Sequence, residues 1–280
     1  MKYGVNLFMW TSVFTRDKLN LISKIKKLGF DGVELPIRDL EDVDIEGTKV
    51  ALEENGLGCT ICPLITPERS LINPSTHKEA IDYFISIIKA ANKWQSRIIG
   101  GAFYTDVGAG KNHRSRTKEE WCLAIKGLKE LSKVAEDYNV TLGLEVITRF
   151  ETSFLNIAED AVRLVAEVGS PNIGVHLDTF HMNIEEKDIY KAIKNTGKHL
   201  VHLHVCENDR GIPGTGHIDW EKVSKALKEI GYDKWVVFET FIPEIKEMIP
   251  SACVWRNIIA GKSADEAAKE TLEFLKQNFE

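Results

Sequence analysis

The sequence has few features of a membrane, secreted or multidomain protein. No apolar run approaches the roughly 20 residues that a membrane-spanning helix needs. Proline and cysteine are scarce, at 8 and 5 of 280 residues, and no Pro-, Ser- or Gly-rich linker divides the chain. An odd number of cysteines in a chain of this length is typical of free thiols in a reducing compartment. We therefore expect a cytoplasmic protein without a signal peptide.

The sequence also lacks an excess of basic residues. The 36 Lys and Arg residues are outnumbered by 42 Asp and Glu residues, so the net charge is −6. Nucleic acids and anionic membranes are bound by basic surfaces, so we expect neither as a partner. Histidine is nearly absent from the first half of the chain, because six of the eight histidines lie between positions 176 and 217. This distribution favours a site built mainly by the second half.

Short apolar runs alternate with longer segments of helical periodicity along the whole chain. Several of the runs show no polar alternation, as expected of parallel strands buried on both faces. We predict strands at 3–8, 32–35, 58–62, 97–100, 141–145, 174–178, 200–205 and 235–239. Eight strands in 280 residues correspond to one βα unit per 35 residues. This pattern predicts an α/β protein with a single (β/α)8 barrel domain spanning residues 1–280. A doubly wound sheet is the alternative, but no Gly-x-Gly-x-x-Gly turn follows the first strand.

Four consecutive predicted strands end in residues that can bind a metal ion. The fifth, sixth, seventh and eighth strands lead to Glu145, Asp178, His204 and Glu239, spaced 33, 26 and 35 residues apart. In a parallel barrel the carboxyl ends of the strands meet at one mouth. Three carboxylates brought together there would repel one another unless a cation neutralises them. Three oxygen ligands and one imidazole suit Mn²⁺, Mg²⁺ or Co²⁺, whereas Zn²⁺ is less favoured.

Other polar residues flank these four positions. His202 and His176 precede His204 and Asp178 by two residues, so we expect them one layer deeper, as hydrogen-bonded core histidines. His181, Arg210 and Glu151 fall in predicted mouth loops, where they could contact a substrate. Cys59 and Cys62 form a Cys-x-x-Cys spacing without a second pair, so we interpret them as small buried side chains rather than as a redox or zinc motif.

These same segments resemble the D-tagatose 3-epimerase/D-psicose (D-allulose) 3-epimerase family of sugar isomerase and epimerase barrels. The resemblance covers nearly the whole chain and is most specific between residues 145 and 239. It rests on Glu145-Val-Ile-Thr-Arg-Phe-Glu151, Asp178-Thr-Phe-His-Met-Asn183, His202-Leu-His-Val-Cys-Glu-Asn-Asp-Arg210, Pro213-Gly-Thr-Gly216, Val237-Phe-Glu239 and Val254-Trp-Arg256.

The resemblance implies a homodimer or homotetramer with one divalent metal ion per subunit, commonly Mn²⁺ or Co²⁺. It implies C3 epimerisation of free ketoses, such as D-fructose/D-allulose or D-tagatose/D-sorbose, through a cis-enediolate. Glu145, Asp178, His204 and Glu239 would be the metal ligands, with Glu145 and Glu239 as the acid–base pair. The resemblance also implies that the O1–O3 end of the sugar is contacted by Glu151, His181 and Arg210.

The chain departs from this family at three places, and the differences in the first strand and in the loop 61–67 bear on the substrate. The first strand offers Asn6, Phe8 and Trp10 where other members often have tyrosine, and we expect these three residues to bind substrate. The loop 61–67 lacks a glycine-bearing turn, and Thr240 replaces a common proline. These differences leave the preferred ketose open.

A ketose–aldose isomerase of the hydroxypyruvate isomerase type is the alternative function. A DNA-cleaving barrel of the endonuclease IV type would need several metals, many histidines and basic loops, which this sequence lacks. A sugar phosphate substrate is disfavoured because residues 240–250 contain no glycine-rich phosphate cradle. A sugar-binding protein without activity would not need two facing carboxylates.

Overall fold

The computed structural model describes residues 1–105, 107 and 114–280. Eight parallel strands pair in chain order and close into a barrel in which the first strand also pairs with the last. This confirms the prediction of a (β/α)8 barrel, and each predicted strand overlaps an observed one. The strands are β1 (Lys2–Asn6), β2 (Gly32–Ile37), β3 (Gly58–Pro63), β4 (Ile98–Gly101), β5 (Thr141–Glu145), β6 (Ile173–Asp178), β7 (Leu200–Val205) and β8 (Trp235–Phe238).

Helices surround the barrel between successive strands. No helix of the described residues is long and apolar enough to cross a bilayer. All five cysteines lie in the described part of the chain and are unpaired. The helices are α1 (Asn20–Leu28), α2 (Ile45–Asn55), α3 (His77–Lys93), α4 (Lys118–Asp137), α5 (Ala158–Val168), α6 (Thr179–Glu185), α7 (Ile189–Thr196), α8 (Trp220–Glu229), α9 (Ile249–Ala252) and α10 (Ala264–Phe279).

The first strand is shorter than the sequence predicts. Residues Leu7–Met9 form a 3₁₀ turn instead of extending β1. The Asn6 side chain causes this change, because its Oδ1 accepts a hydrogen bond of 3.1 Å from the Phe8 backbone N–H. A side chain that caps the following backbone competes with strand pairing.

The interior face of the barrel is polar near the mouth, while the outward face of each strand is apolar. In β7, His202 and His204 alternate with Leu203 and Val205, and all four residues are buried. Both histidines contact Glu34 of β2, which is not a neighbour of β7 in the sheet, so these contacts cross the interior. The apolar side chains of the outward face pack against the surrounding helices, so that polar side chains can occupy the interior.

At the amino end of the barrel, the Trp235 side chain packs against two glycines and fills the interior. The Trp235 indole lies so close to Gly32 and Gly58 that an added Cβ would approach ring atoms to 2.3 and 2.6 Å. Neither position therefore accepts a larger side chain without moving the ring. With this end filled, the open space of the interior lies at the carboxyl ends of the strands.

Candidate metal centre and active site

The four residues at the strand ends converge, as the sequence predicts. Glu145 ends β5, Asp178 ends β6, His204 lies in β7 and Glu239 follows β8 directly. Their ligand atoms all lie within 4.8 Å of one another, and all four residues are buried. From His204 Nδ1 the distances are 3.4 Å to Glu239 Oε1, 3.8 Å to Glu145 Oε1 and 4.0 Å to Asp178 Oδ2.

The donor set fits a divalent cation. Asp178 Oδ2 and His204 Nδ1 are buried and have no hydrogen-bond partner among the described residues. A buried polar atom without a partner is costly, and a metal ion between these atoms would satisfy both. Three carboxylates and one imidazole nitrogen form a set that suits Mn²⁺, Co²⁺ or Mg²⁺.

The surroundings push the pKa values of the two candidate catalytic carboxyl groups in opposite directions. Burial raises the pKa of Glu145 well above its usual value, and the nearby charges of Glu239 and Asp178 add to this effect. Burial acts in the same direction on Glu239, but His204 and Arg210 outweigh it and lower the pKa of that carboxyl group. Two carboxyl groups whose pKa values are driven apart are suited to serve as acid and base.

Arg210 lies over the acidic cluster in a constrained position. Its Nη1 donates a hydrogen bond of 3.1 Å to Glu239 Oε2, and its guanidinium carbon lies 4.2 Å from the Phe180 ring centroid and 5.0 Å from that of Phe241. The backbone of Arg210 has a left-handed φ of 66°, which is unusual for a residue with a side chain. The Thr240 hydroxyl donates to the Arg210 carbonyl and holds this turn. The guanidinium is thereby fixed at the mouth.

His181 and Glu151 complete the polar end of the site beside Arg210. His181 Nε2 lies 3.1 Å from Arg210 Nη2, and the Thr148 backbone N–H donates a 3.2 Å hydrogen bond to His181 Nδ1. Burial lowers the pKa of His181 well below its usual value, and the charge of Arg210 lowers it further, so the imidazole is neutral. Glu151 Oε1 lies 3.9 Å from Arg210 Nη2. A cation, a neutral imidazole and a carboxylate thus face the same small space.

A cavity opens onto these residues from the mouth of the barrel. Its polar end is formed by Glu145, Glu151, His181, Arg210 and Glu239. Most of the remaining wall is apolar and includes Phe8, Leu64, Ile65, Val107, Ile147 and Met248. A small polar ligand would therefore find its charged and hydrogen-bonding partners at one end of the cavity.

Sequence and structure comparisons agree on the family. Residues 22–278 match the profile of the xylose isomerase-like TIM barrel family. The chain belongs to this family. It is 34% identical to a D-psicose 3-epimerase of Ruminiclostridium cellulolyticum, over 98% of this chain and 96% of the relative. It is 32% identical to a D-psicose 3-epimerase of Enterocloster bolteae, over 100% and 96% of the two chains.

A solved structure of a similar barrel contains a bound sugar. The D-allulose 3-epimerase of Methylomonas sp., crystallised with D-allulose, superposes with a TM-score of 0.93 at 27% identity and covers 99% of this chain and 97% of its own. These similarities confirm the resemblance to ketose 3-epimerases that the sequence motifs indicate.

The three candidate substrate residues of the first strand lie in different places. Phe8 lines the cavity and packs on Phe241, with ring centroids 5.2 Å apart. Asn6 is buried beneath the acidic cluster, and its Nδ2 lies 3.3 Å from Glu239 Oε1. Trp10 instead points towards α10, where its Nε1 donates a 2.7 Å hydrogen bond to Asp265. The 3₁₀ turn after β1 separates Trp10 from the other two, because it breaks the period-two alternation of the strand.

Sequence reasoning missed Glu34. This residue is fully buried in β2, and its carboxylate accepts hydrogen bonds from Asn6 Nδ2, Thr60 Oγ1, His202 Nε2 and His204 Nε2. A signal for it exists, since Glu34 is the single charged residue in an otherwise uncharged strand, and a buried charge requires partners. The partners could not be identified from the sequence, because His202 and His204 lie 168 and 170 residues away.

The two deeper histidines differ in their hydrogen bonding. His202 is the hydrogen-bonded core histidine that the sequence predicts, since its Nε2 lies 2.8 Å from Glu34 Oε1. His176 is equally buried, but neither of its ring nitrogens has a hydrogen-bond partner among the described residues. It packs edge-on against the rings of His202 and His204, with centroids 4.6 and 4.1 Å away. Burial lowers the pKa of His176 well below its usual value, so the ring packs as a neutral one.

Proposed function

We propose that this protein is a metal-dependent ketose 3-epimerase acting on free ketoses, of the D-fructose/D-allulose or D-tagatose/D-sorbose type. The observation that carries the proposal is the pair of buried carboxyl groups, Glu145 on β5 and Glu239 after β8, which belong to one candidate metal site. The names of the relatives, which are D-psicose and L-ribulose 3-epimerases, support the same reaction.

Inverting C3 of a ketose requires removal of its proton on one face and delivery of a proton on the other. A pair of carboxyl groups performs this exchange when one is ionised and the other protonated. In the metal-free site the pKa of Glu239 is lowered and that of Glu145 is raised, so the two groups differ in how readily they give up a proton. Their roles exchange with the direction of the reaction, so that Glu145 and Glu239 act in turn as base and acid around a cis-enediolate.

The residues around the pair bind and orient the sugar. Glu145, Asp178, His204 and Glu239 would hold the divalent cation, which we propose to be Mn²⁺ or Co²⁺, with Mg²⁺ as the next choice. When bound, the cation supplies positive charge that stabilises the enediolate. Arg210 would donate hydrogen bonds to the oxygens at the O1–O3 end of the sugar, and His181 and Glu151 would contact the same end beside it.

Product analysis in deuterated water tests this proposal directly. The chelated protein is incubated with a ketose panel, alone and after adding back Mn²⁺ or Co²⁺, and C3 epimers and aldoses are quantified separately. We expect a C3 epimer that carries deuterium at C3, formed only with the metal. An aldose as the main product would instead establish a ketose–aldose isomerase. An epimer without deuterium at C3 would rule out proton exchange through the two carboxyl groups.

We further propose that the enzyme works as a homodimer or homotetramer, as the sequence resemblance implies, and that it is cytoplasmic, as its free cysteines indicate. Sedimentation velocity of the purified protein at micromolar concentration measures the assembly. A monomer at all concentrations would contradict it.

A further inference from the structure

The strongest polar feature that the proposed reaction leaves unused lies beneath the metal site. Glu34 is fully buried, and its four hydrogen-bond donors come from three strands, β1, β3 and β7. Replacing such a carboxylate by an apolar side chain would remove a desolvated charge, so its presence suggests a task that an apolar residue cannot perform.

The contact of Glu34 with His204 determines which imidazole nitrogen is free. His204 Nε2 lies 2.6 Å from Glu34 Oε2. An ionised carboxylate only accepts hydrogen bonds, so Nε2 must carry a proton and donate it. Nδ1 is the nitrogen that faces Glu145, Asp178 and Glu239, and no residue in the described part of the chain forms a hydrogen bond with it. A metal-binding imidazole needs its lone pair at that nitrogen, and a carboxylate on the opposite nitrogen fixes the ring in that form.

The other donors hold the Glu34 carboxylate in place. Thr60 Oγ1 and His202 Nε2 donate to Oε1 at 2.9 and 2.8 Å, while Asn6 Nδ2 donates to Oε2 at 2.9 Å beside His204. Each oxygen accepts hydrogen bonds from two donors, which together fill the roughly four lone-pair sites of a carboxylate. The Glu34 carboxylate therefore cannot rotate without losing hydrogen bonds. Asn6 Nδ2 also lies 3.3 Å from Glu239 Oε1, which links Glu34 to a second candidate ligand.

We propose that Glu34 is the positioning residue of the metal centre. It fixes the His204 ring with Nδ1 towards the ion and, through Asn6, restrains the Glu239 carboxylate. The role rests on the metal site of the proposed function but not on the identity of the substrate. It assigns the amino-terminal half of the barrel a part in metal affinity, although that half supplies none of the four candidate ligands.

Direct Mn²⁺ titration of the metal-free protein tests this role without any assay of activity. The variants are Glu34→Gln, which is nearly isosteric but cannot accept both histidine hydrogen bonds, and Glu54→Gln, at an exposed position of α2, as the control. Glu54→Gln makes the same chemical change outside the metal site. We expect Glu34→Gln to bind Mn²⁺ about 10- to 100-fold more weakly, the usual effect of losing such a partner. Glu54→Gln should bind Mn²⁺ as tightly as the unmodified protein.

Thermal denaturation of both variants separates positioning from a general loss of stability. A purely structural Glu34 would lower the melting temperature of the metal-free protein without changing Mn²⁺ affinity, and equal affinity in Glu34→Gln would overturn the proposal. If the unmodified protein itself binds no Mn²⁺, both this role and the metal dependence of the proposed function fail. Binding of Mn²⁺ without epimerase activity would instead count against the proposed function alone.

A measurement on the unmodified chain keeps the test independent of how Glu34→Gln folds. In the protein loaded with Zn²⁺, which is diamagnetic, nitrogen-15 NMR of the His204 ring should show Nδ1 bound to the ion and Nε2 protonated. The reverse pattern, with Nε2 on the ion and Nδ1 protonated, would overturn the proposal.

Discussion

The two halves of the barrel contribute differently to the same site. Strands β5 to β8 each place one candidate metal ligand at the mouth, whereas β1 to β3 place Asn6, Glu34 and Thr60 beneath the ligands. The loop after β3 adds Leu64 and Ile65 to the apolar wall of the cavity. The residues that would bind the ion and those that we propose to orient them therefore come from different sets of strands, which are neighbours only where β1 pairs with β8. A closed barrel makes this division workable, because side chains from distant strands meet across its axis.

Substitutions in the carboxyl pair of the second half should cause the largest loss of activity. We expect Glu145→Gln and Glu239→Gln each to lower kcat by about 10²- to 10⁴-fold, because each removes one of the two proton-transfer groups. Steady-state rates of C3 epimerisation with saturating metal measure this loss. Glu273→Gln, an exposed change on α10, is the control and should retain full activity. Full activity in Glu239→Gln would exclude Glu239 from the proton transfer.

Arg210→Lys should cause the next largest loss of activity. Lysine retains the charge but cannot stack on Phe180 and Phe241 or present the same planar donors, so we expect kcat/KM to fall by about 10²-fold. Arg163→Lys, on the exposed face of α5, provides the matched control. Unchanged kcat/KM in Arg210→Lys would show that charge alone suffices at the mouth.

The apolar wall from the first half should affect binding more than turnover. Ile65→Ala removes part of the cavity lining, and we expect KM to rise by up to about tenfold with kcat nearly unchanged, since apolar contacts contribute about 1–3 kcal/mol. Val50→Ala, at an exposed position of α2, controls for loss of an apolar side chain. A fall in kcat without a change in KM would mean that the wall takes part in the reaction step itself.

Trp10→Phe should have the smallest effect on activity. The Trp10 indole contacts Asp265 rather than the cavity, so we expect KM to stay within about twofold while stability falls by about 1 kcal/mol with the lost hydrogen bond. Denaturant unfolding and steady-state kinetics measure the two quantities, with the exposed Trp255→Phe as the control. A large rise in KM would instead make Trp10 a substrate contact.

The pattern of the sequence was sufficient to predict the barrel and the position of the cluster. Strand length, buried-strand composition and one βα unit per 35 residues predict eight parallel strands. Once the strands are placed, Glu145, Asp178, His204 and Glu239 fall at their carboxyl ends by position alone. The place of Trp10 could not be predicted in this way, since a capping side chain at Asn6 ends β1 early and the Trp10 indole donates a hydrogen bond to Asp265 of α10.

The local sequence thus determined which residues could reach the mouth, because strand periodicity and strand ends are short-range properties. Tertiary structure alone decided which atoms face one another there. It set the pKa values of Glu145 and Glu239 apart, because burial and the approach of His204 and Arg210 act on each carboxyl group differently. It also brought Glu34 to His204 across 170 residues of chain, since only closure of the barrel places β2 opposite β7.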